Sequence, residues 1–425
     1  MICAKTLKGR VHGTILFLLF AYPIVLLSVR HGMSATFVAL VAISVWYLLW
    51  FRGQNSFDWQ AGDIAFALAM SSLVAATLVS QVYHSSFKLN ALDEPSRFFA
   101  AIPIYLMLRN SGIAAPRTLE YGFPLGALAG LATSILFPAQ FWKSGTYFLD
   151  SIHFGGAMLI LGFLSALAIN WTRNDPPAVL LLKASGLSAG IYCTLHSSAR
   201  GAWIALPVLA ILWISYRLSG GWRARAGAAG AAAALIASAW FIPHVRGRIE
   251  VTQGEITSVL GGHLETDVGL RLQIWKAALQ VISQNPIAGV GPEGVPDALQ
   301  AVHQAGGLSP LGLQLGLAEI HSEILAQTIG LGVLGLVAIL AIYLVPLVLS
   351  LKAARSGDRI KRTAAVMCTF VVVAYFIFGL TVETFNLKMI ATFYAMTVAI
   401  LLGIARNTAT EATLPAVAGA RPIRA

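Results

Sequence analysis

Residues 331–350 read LGVLGLVAILAIYLVPLVLS, twenty positions without a charged side chain. At 1.5 Å per residue a helix of that length covers about 30 Å, the thickness of a bilayer's hydrocarbon core. The stretch offers no polar face to water, so it predicts a membrane-spanning helix. Working outward, windows of the same kind fall at about 13–29, 33–51, 61–81, 97–109, 119–139, 151–171, 177–195, 200–218, 225–242, 322–350, 361–381 and 389–405. Twelve spans are therefore expected in an all-α polytopic membrane protein. Lys5, Lys8 and Arg10 precede the first window as they would a secretory leader, but Ser28-Val29-Arg30 offers no small-residue cleavage site, so the segment is expected to remain as the first helix.

The composition agrees: 57% of the 425 residues are hydrophobic and 11% charged, against about 25% charged in soluble domains. The formal charge of +11 is scattered in short clusters instead of forming one stripe, so no nucleic-acid partner is expected. Lys and Arg concentrate in alternate connections: Lys5, Lys8 and Arg10; Arg52; Arg109 and Arg117; Arg173; Arg217, Arg223 and Arg225; Lys352, Arg355, Arg359, Lys361 and Arg362; Arg406, Arg421 and Arg424. The other connections hold only Arg30, Lys88, Arg97, Lys143, Arg200 and Lys388. Cations stay on the cytoplasmic side of short loops, which predicts an inner-membrane protein with both termini cytoplasmic. Residues 1–242 then carry spans one to nine, 243–320 form a large periplasmic loop, 321–405 carry spans ten to twelve, and 406–425 form a cytoplasmic tail.

The loop is the one long polar stretch. Within it RLQIWKAALQVISQ (Arg271–Gln284) has helical spacing and stops before Asn285-Pro286; a second short helix is expected over Pro296–Gln304, and the Gly/Leu-rich run 306–317 is expected against the membrane surface. Cys3, Cys193 and Cys368 lie at the N-terminus or in apolar runs, which leaves no disulfide framework in the loop and no zinc pattern.

A charge at the centre of a spanning helix costs about 2.5–3.5 kcal/mol. Asp63 and Lys183 stand near helix ends, where they are expected to snorkel to the interface, and His153 and His196 read as packing residues. With no midplane carboxylate and no expected interruption of a span, an ion-coupled transporter is disfavoured. Cations and a histidine gather instead at the outer edge: Lys88, Arg97, Lys143, Arg200, Arg271 and His321. Singly, Arg200 reads as an interfacial anchor, Arg271 as a solvated helix face and His321 as a helix-start polar residue. Together they predict an anion site at the outer leaflet, because guanidinium forks match phosphate oxygens.

The Arg271 run with Trp275 and Ala278, followed by Asn285-Pro286-Ile287-Ala288-Gly289-Val290-Gly291, resembles the R-x-x-x-W-x-x-A … N-P-x-x-G-x-G signature of the O-antigen ligase and polymerase family. HSEILAQTIGLGVLG (His321–Gly335) resembles that family's H-N-x-x-L … G-x-x-G opening of the helix after its large loop, and Ser197-Ser198-Ala199-Arg200-Gly201 its S-x-S-R-G-A segment. Ser322 departs from the usual Asn. The resemblance implies a GT-C-like membrane glycosyltransferase that moves a glycan from undecaprenyl pyrophosphate to a sugar hydroxyl of lipid A-core at the periplasmic face. It implies Arg200 and Arg271 as pyrophosphate ligands and His321 as catalytic base or positioning group, with Arg97, Lys88 and Trp275 as secondary candidates. An O-antigen polymerase or a protein O-oligosaccharyltransferase would use the same donor; a lipid-linked oligosaccharide transporter and a non-enzymatic envelope protein are the remoter alternatives. No cofactor or metal is expected, since the nearest approach to D-x-D is Glu265-Thr266-Asp267; membrane lipids surround the chain, and a monomer is expected.

Overall fold

The computed structural model describes residues 2–51, 59–139, 145–197, 199–217, 226–227, 230 and 243–408. Among them the architecture is helical, with only isolated bridges around Thr146 outside the helices. The first eight helices are α1 (Ile2–Ser28), α2 (Gly32–Phe51), α3 (Ala61–Tyr83), α4 (Pro95–Asn110), α5 (Ala115–Leu136), α6 (Ser151–Leu167), α7 (Pro177–His196) and α8 (Arg200–Arg217). The loop carries α9 (Pro243–Leu260), α10 (Asp267–Gln284), α11 (Val295–Gln304) and α12 (Pro310–Ala318), and α13 (Glu323–Ala353), α14 (Arg359–Gly379) and α15 (Lys388–Ala405) follow.

Eight of these helices (α1, α2, α3, α5, α7, α13, α14 and α15) are long and apolar enough to cross a membrane, and α6 is a shorter apolar helix. Of the other expected spans, α4 has 16 residues and α8 has 18. Apart from residues 226, 227 and 230, the expected span 225–242 lies outside the described residues, as do Arg52, Lys143, Arg223, Arg225, Arg421 and Arg424. The loop helices at 267–284 and 295–304 agree with the sequence reading, whereas the mostly polar α9 had no counterpart in it. The run 306–317 packs on the loop's own core, with Gly316 against Ile274 and Leu299, although Leu311 and Leu317 stay exposed.

Small residues set the helix spacing, as they do where apolar packing alone must hold helices together in lipid. A Cβ on Gly190 would lie 2.6 Å from the Met158 carbonyl oxygen, and one on Gly126 would lie 2.5 Å from that of Pro23, so α7 meets α6 and α5 meets α1 nearly backbone to backbone. One large cluster fills the bundle, and a second, built on Ile274, Ala278, Leu299 and Val302, fills the loop. The second cluster continues past residue 320 and takes in Ile329 of α13.

Two expectations about the spans are corrected. First, α13 is interrupted: Gly332 has φ 64° and ψ −148°. The cause is the Asn-Pro segment, which inserts at the break. Val290 N–H donates to the Ile329 carbonyl at 3.0 Å and Val333 N–H to that of Pro286 at 2.8 Å. Gly289 (φ 66°) and Gly332 are required there, since a Cβ on Gly289 would sit 2.5 Å from the Gly330 carbonyl carbon. We therefore expect Gly289→Ala to destabilise the protein by about 2–4 kcal/mol through backbone strain and clash, measured as a lowered unfolding temperature in detergent; an unchanged value would remove this role.

Second, Asp63 and Lys183 do not snorkel; both are fully buried. The Asp63 carboxylate pairs with Arg109 Nε at 3.0 Å, accepts from Tyr105 Oη at 2.5 Å and lies 3.7 Å from Arg406. Lys183 Nζ reaches Glu120 at 3.2 Å, Asp175 at 2.8 Å and the Ala168 carbonyl at 2.8 Å. Each charge found partners from neighbouring helices, which lowers the cost of burial enough to hold it away from water. Both groups lie at the end of the bundle opposite the loop.

Candidate active site

Arg200 opens α8, and its guanidinium binds Glu255 of α9 in fork-to-fork fashion, Nη1 to Oε2 at 2.9 Å and Nη2 to Oε1 at 3.1 Å, with Asp267 at 3.4 Å from Nη2. Thr266 caps α10, accepting from Gly269 N–H at 3.1 Å. Arg271 and Trp275, one helical turn apart, therefore share a face of that helix. Arg271 is half-buried and forms no ion pair among the described residues. Burial, and next the neighbouring Arg200, pull its guanidinium below the ordinary value, while Glu319, Asp267 and Glu255 act the other way. The two arginines thus share one electrostatic neighbourhood.

His321 is held by its flanks. The Trp275 indole N–H donates to the Ile320 carbonyl at 3.1 Å, and Ile320 N–H donates to the Glu383 carboxylate. His321 itself has φ 58°, the left-handed region, a strained setting for a residue with a Cβ and one that persists only where its surroundings fix it. Its ring is buried, Nδ1 lies 3.4 Å from Glu319 Oε1, and neither ring nitrogen has a hydrogen bond among the described residues. Ser322 caps α13 through Leu325 N–H. Asn and Ser are both preferred caps, so the departure from the family pattern keeps the local function.

The connection from α14 to α15 is stitched to this segment. Glu319 Oε1 accepts from Glu383 N–H at 2.7 Å, and Glu323 Oε2 accepts from Phe385 N–H at 2.9 Å and Thr384 Oγ1 at 3.2 Å. Burial pushes the Glu383 carboxyl up to about 8; its bond from Ile320 opposes this, while Glu323 and Glu319 add to it. His153, read as a packing residue, bridges Asp150 (2.8 Å) and the Glu383 carbonyl (3.3 Å). An apolar cavity opens one residue beyond Arg200, lined by Gly201, Ala202, Ile152, Tyr375, Phe378 and Ile390, with His153 and Thr384 as its polar groups.

Arg200, Arg271, Trp275 and His321 thus come to one end of the bundle. Lys88 and Arg97 belong to another group of charges. Lys88 pairs with Glu293, and Arg97 sits 6.0 Å from the centre of the Phe37 ring with its Nε buried and unbonded, beside the Asp93–Lys388 pair. Lys143 lies outside the described residues. Glu255, Glu319 and Glu383 were missed by the sequence reading. Glu319, two residues before His321, was within reach of it; Glu255 carries no local signal.

Among the described residues no group of three or more His, Cys, Asp or Glu side chains could hold a metal ion. These features define an integral membrane protein with a cationic site beside an apolar cavity at one end of its helices. Residues 185–340, which take in Arg200, Arg271 and His321, match the family model described as O-antigen ligase. It is also 22% identical over 356 residues to an uncharacterized protein of Haemophilus influenzae, covering 79% of this chain and 84% of that one.

Proposed function

We propose that the protein is an O-antigen ligase of the inner membrane, with both termini cytoplasmic and its site in the periplasm. It transfers a glycan from undecaprenyl pyrophosphate to a sugar hydroxyl of lipid A-core. The observation that carries this reading is the grouping of Arg271, a cation without an ion pair among the described residues, with Arg200 and an enclosed imidazole whose two nitrogens are open. The donor's diphosphate would lie at these cations while its isoprenoid chain stays in the surrounding lipid.

In the reaction the acceptor oxygen forms a bond to the anomeric carbon as the bond from that carbon to the diphosphate oxygen breaks. The electron pair leaves with undecaprenyl pyrophosphate, and the hydroxyl proton passes to His321, so the anomeric centre is inverted. Arg271 and Arg200 stabilise the charge that grows on the leaving oxygens, an electrostatic role worth about 3–4 kcal/mol for a well-placed donor.

Complementation of a strain lacking its O-antigen ligase tests the proposal. A restored lipid A-linked ladder of long lipopolysaccharide is expected; restored chain length without attachment would select the polymerase instead. His321→Ala should lower transfer by about 10²–10⁴-fold while the protein still inserts and folds. Activity of the wild type should survive chelation, and an absolute need for a divalent ion would overturn the metal-independent mechanism.

A further inference from the structure

A base in a site that also gathers two guanidinium groups faces an electrostatic problem. When His321 accepts a proton it becomes a cation in an enclosed place within that cationic neighbourhood. Arg200 is matched by Glu255, but Arg271 forms no ion pair among the described residues, and Glu319 is among the acids that act on it. The same Glu319 carboxylate lies 3.4 Å from His321 Nδ1. It therefore acts on the arginine and contacts the imidazole.

We infer that Glu319 is the positioning residue of His321: its carboxylate takes the Nδ1 proton as hydrogen-bond acceptor, directs Nε2 at the acceptor hydroxyl and offsets the imidazolium formed during transfer. This rests on the proposed role of His321 as base. The carboxylate is in turn held by Glu383 N–H at 2.7 Å, and the Glu383 peptide is fixed on its other side by the His153–Asp150 pair. Ile320, between Glu319 and His321, is clamped at its N–H by Glu383 and at its carbonyl by Trp275. Little freedom is left for the two side chains to part. A buried imidazole with both nitrogens unbonded among the described residues is costly, and the Glu319 carboxylate lies 3.4 Å from Nδ1.

Glu319 is the charged group in contact with the ring; Arg271, Arg200, Glu255 and Asp267 form the charged neighbourhood of Arg271 on the loop side, and Glu323, Glu319 and His153 that of Glu383 on the bundle side, with Asp150 bonded to His153. Glu319→Gln isolates one of them, since its amide oxygen still accepts from Glu383 N–H while the charge is gone. In that variant kcat should fall by about 10²-fold with KM nearly unchanged. In a His321→Ala background the same change should cost nothing further. Wild-type kcat would overturn the inference, as would a loss carried by KM alone or an equal loss in both backgrounds. A second measurement needs no Glu319 variant: nitrogen-15 histidine spectra of the wild type, with the His321 signals assigned by their loss in His321→Ala, should show the Nδ1–H tautomer, and the Nε2–H tautomer would refute it. Failure of the ligase reading is seen separately, as a wild type without glycan transfer.

Discussion

Arg271→Ala is expected to reduce glycan transfer by about 10²–10³-fold with little change in folding. The side chain forms no ion pair among the described residues, and α10 is held in the loop by Ile274, Ala277 and Ala278 on its buried face. Removing the guanidinium therefore leaves no buried partner stranded. Arg200→Ala should behave differently, because it strips Glu255, whose side chain is only 13% exposed, of its bidentate partner; activity and stability should fall together. Arg271→Lys restores the charge without the fork, so its activity should lie between alanine and wild type. Measured kcat/KM on a lipid-linked donor, with thermal unfolding alongside, separates the cases. Near-normal transfer by Arg271→Ala would refute its assignment to the diphosphate.

Lys183→Met should have the largest effect on stability, a loss of about 3–5 kcal/mol. The ammonium is fully enclosed and sits between Glu120 and Asp175, whose side chains are 2% and 1% exposed. Neutralising it leaves two carboxylates without a counter-charge in a dry environment. Thermal unfolding in detergent or nanodiscs measures the loss, and joint replacement with Glu120→Gln and Asp175→Asn should recover most of it. A single Lys183→Met variant as stable as wild type would mean that the cluster is solvated.

The apolar windows were readable because a bilayer admits long helices of few side-chain types; helices occupy every one of them that lies within the described residues. The window position of Asp63 and Lys183 gave their depth along a helix but said nothing of partners on other helices, so their enclosure went unread. Gly330-Leu331-Gly332 reads as a small-residue packing motif, and only the inserted Pro286–Val290 segment makes it a break. In the candidate site, Arg200, Arg271 and His321 were singled out by their expected place at the outer edge and by the resemblance of their motifs to a known family. Glu255 was not, because a pairing across 55 residues leaves no periodic trace. Glu383 was obscured because it stands in a short connection between spans, and its role depends on backbone contacts with residues more than sixty positions away.

The break at Gly332 makes α13 a shared member of two bodies: its opening turns complete the loop's hydrophobic cluster, and the remainder joins the bundle. A fragment cut at residues 243–320 would lack Ile329 and the carbonyl that receives Val290 N–H. Periplasmic expression of that fragment alone should yield an incompletely packed polypeptide, whereas one extended through residue 331 carries its missing wall with it.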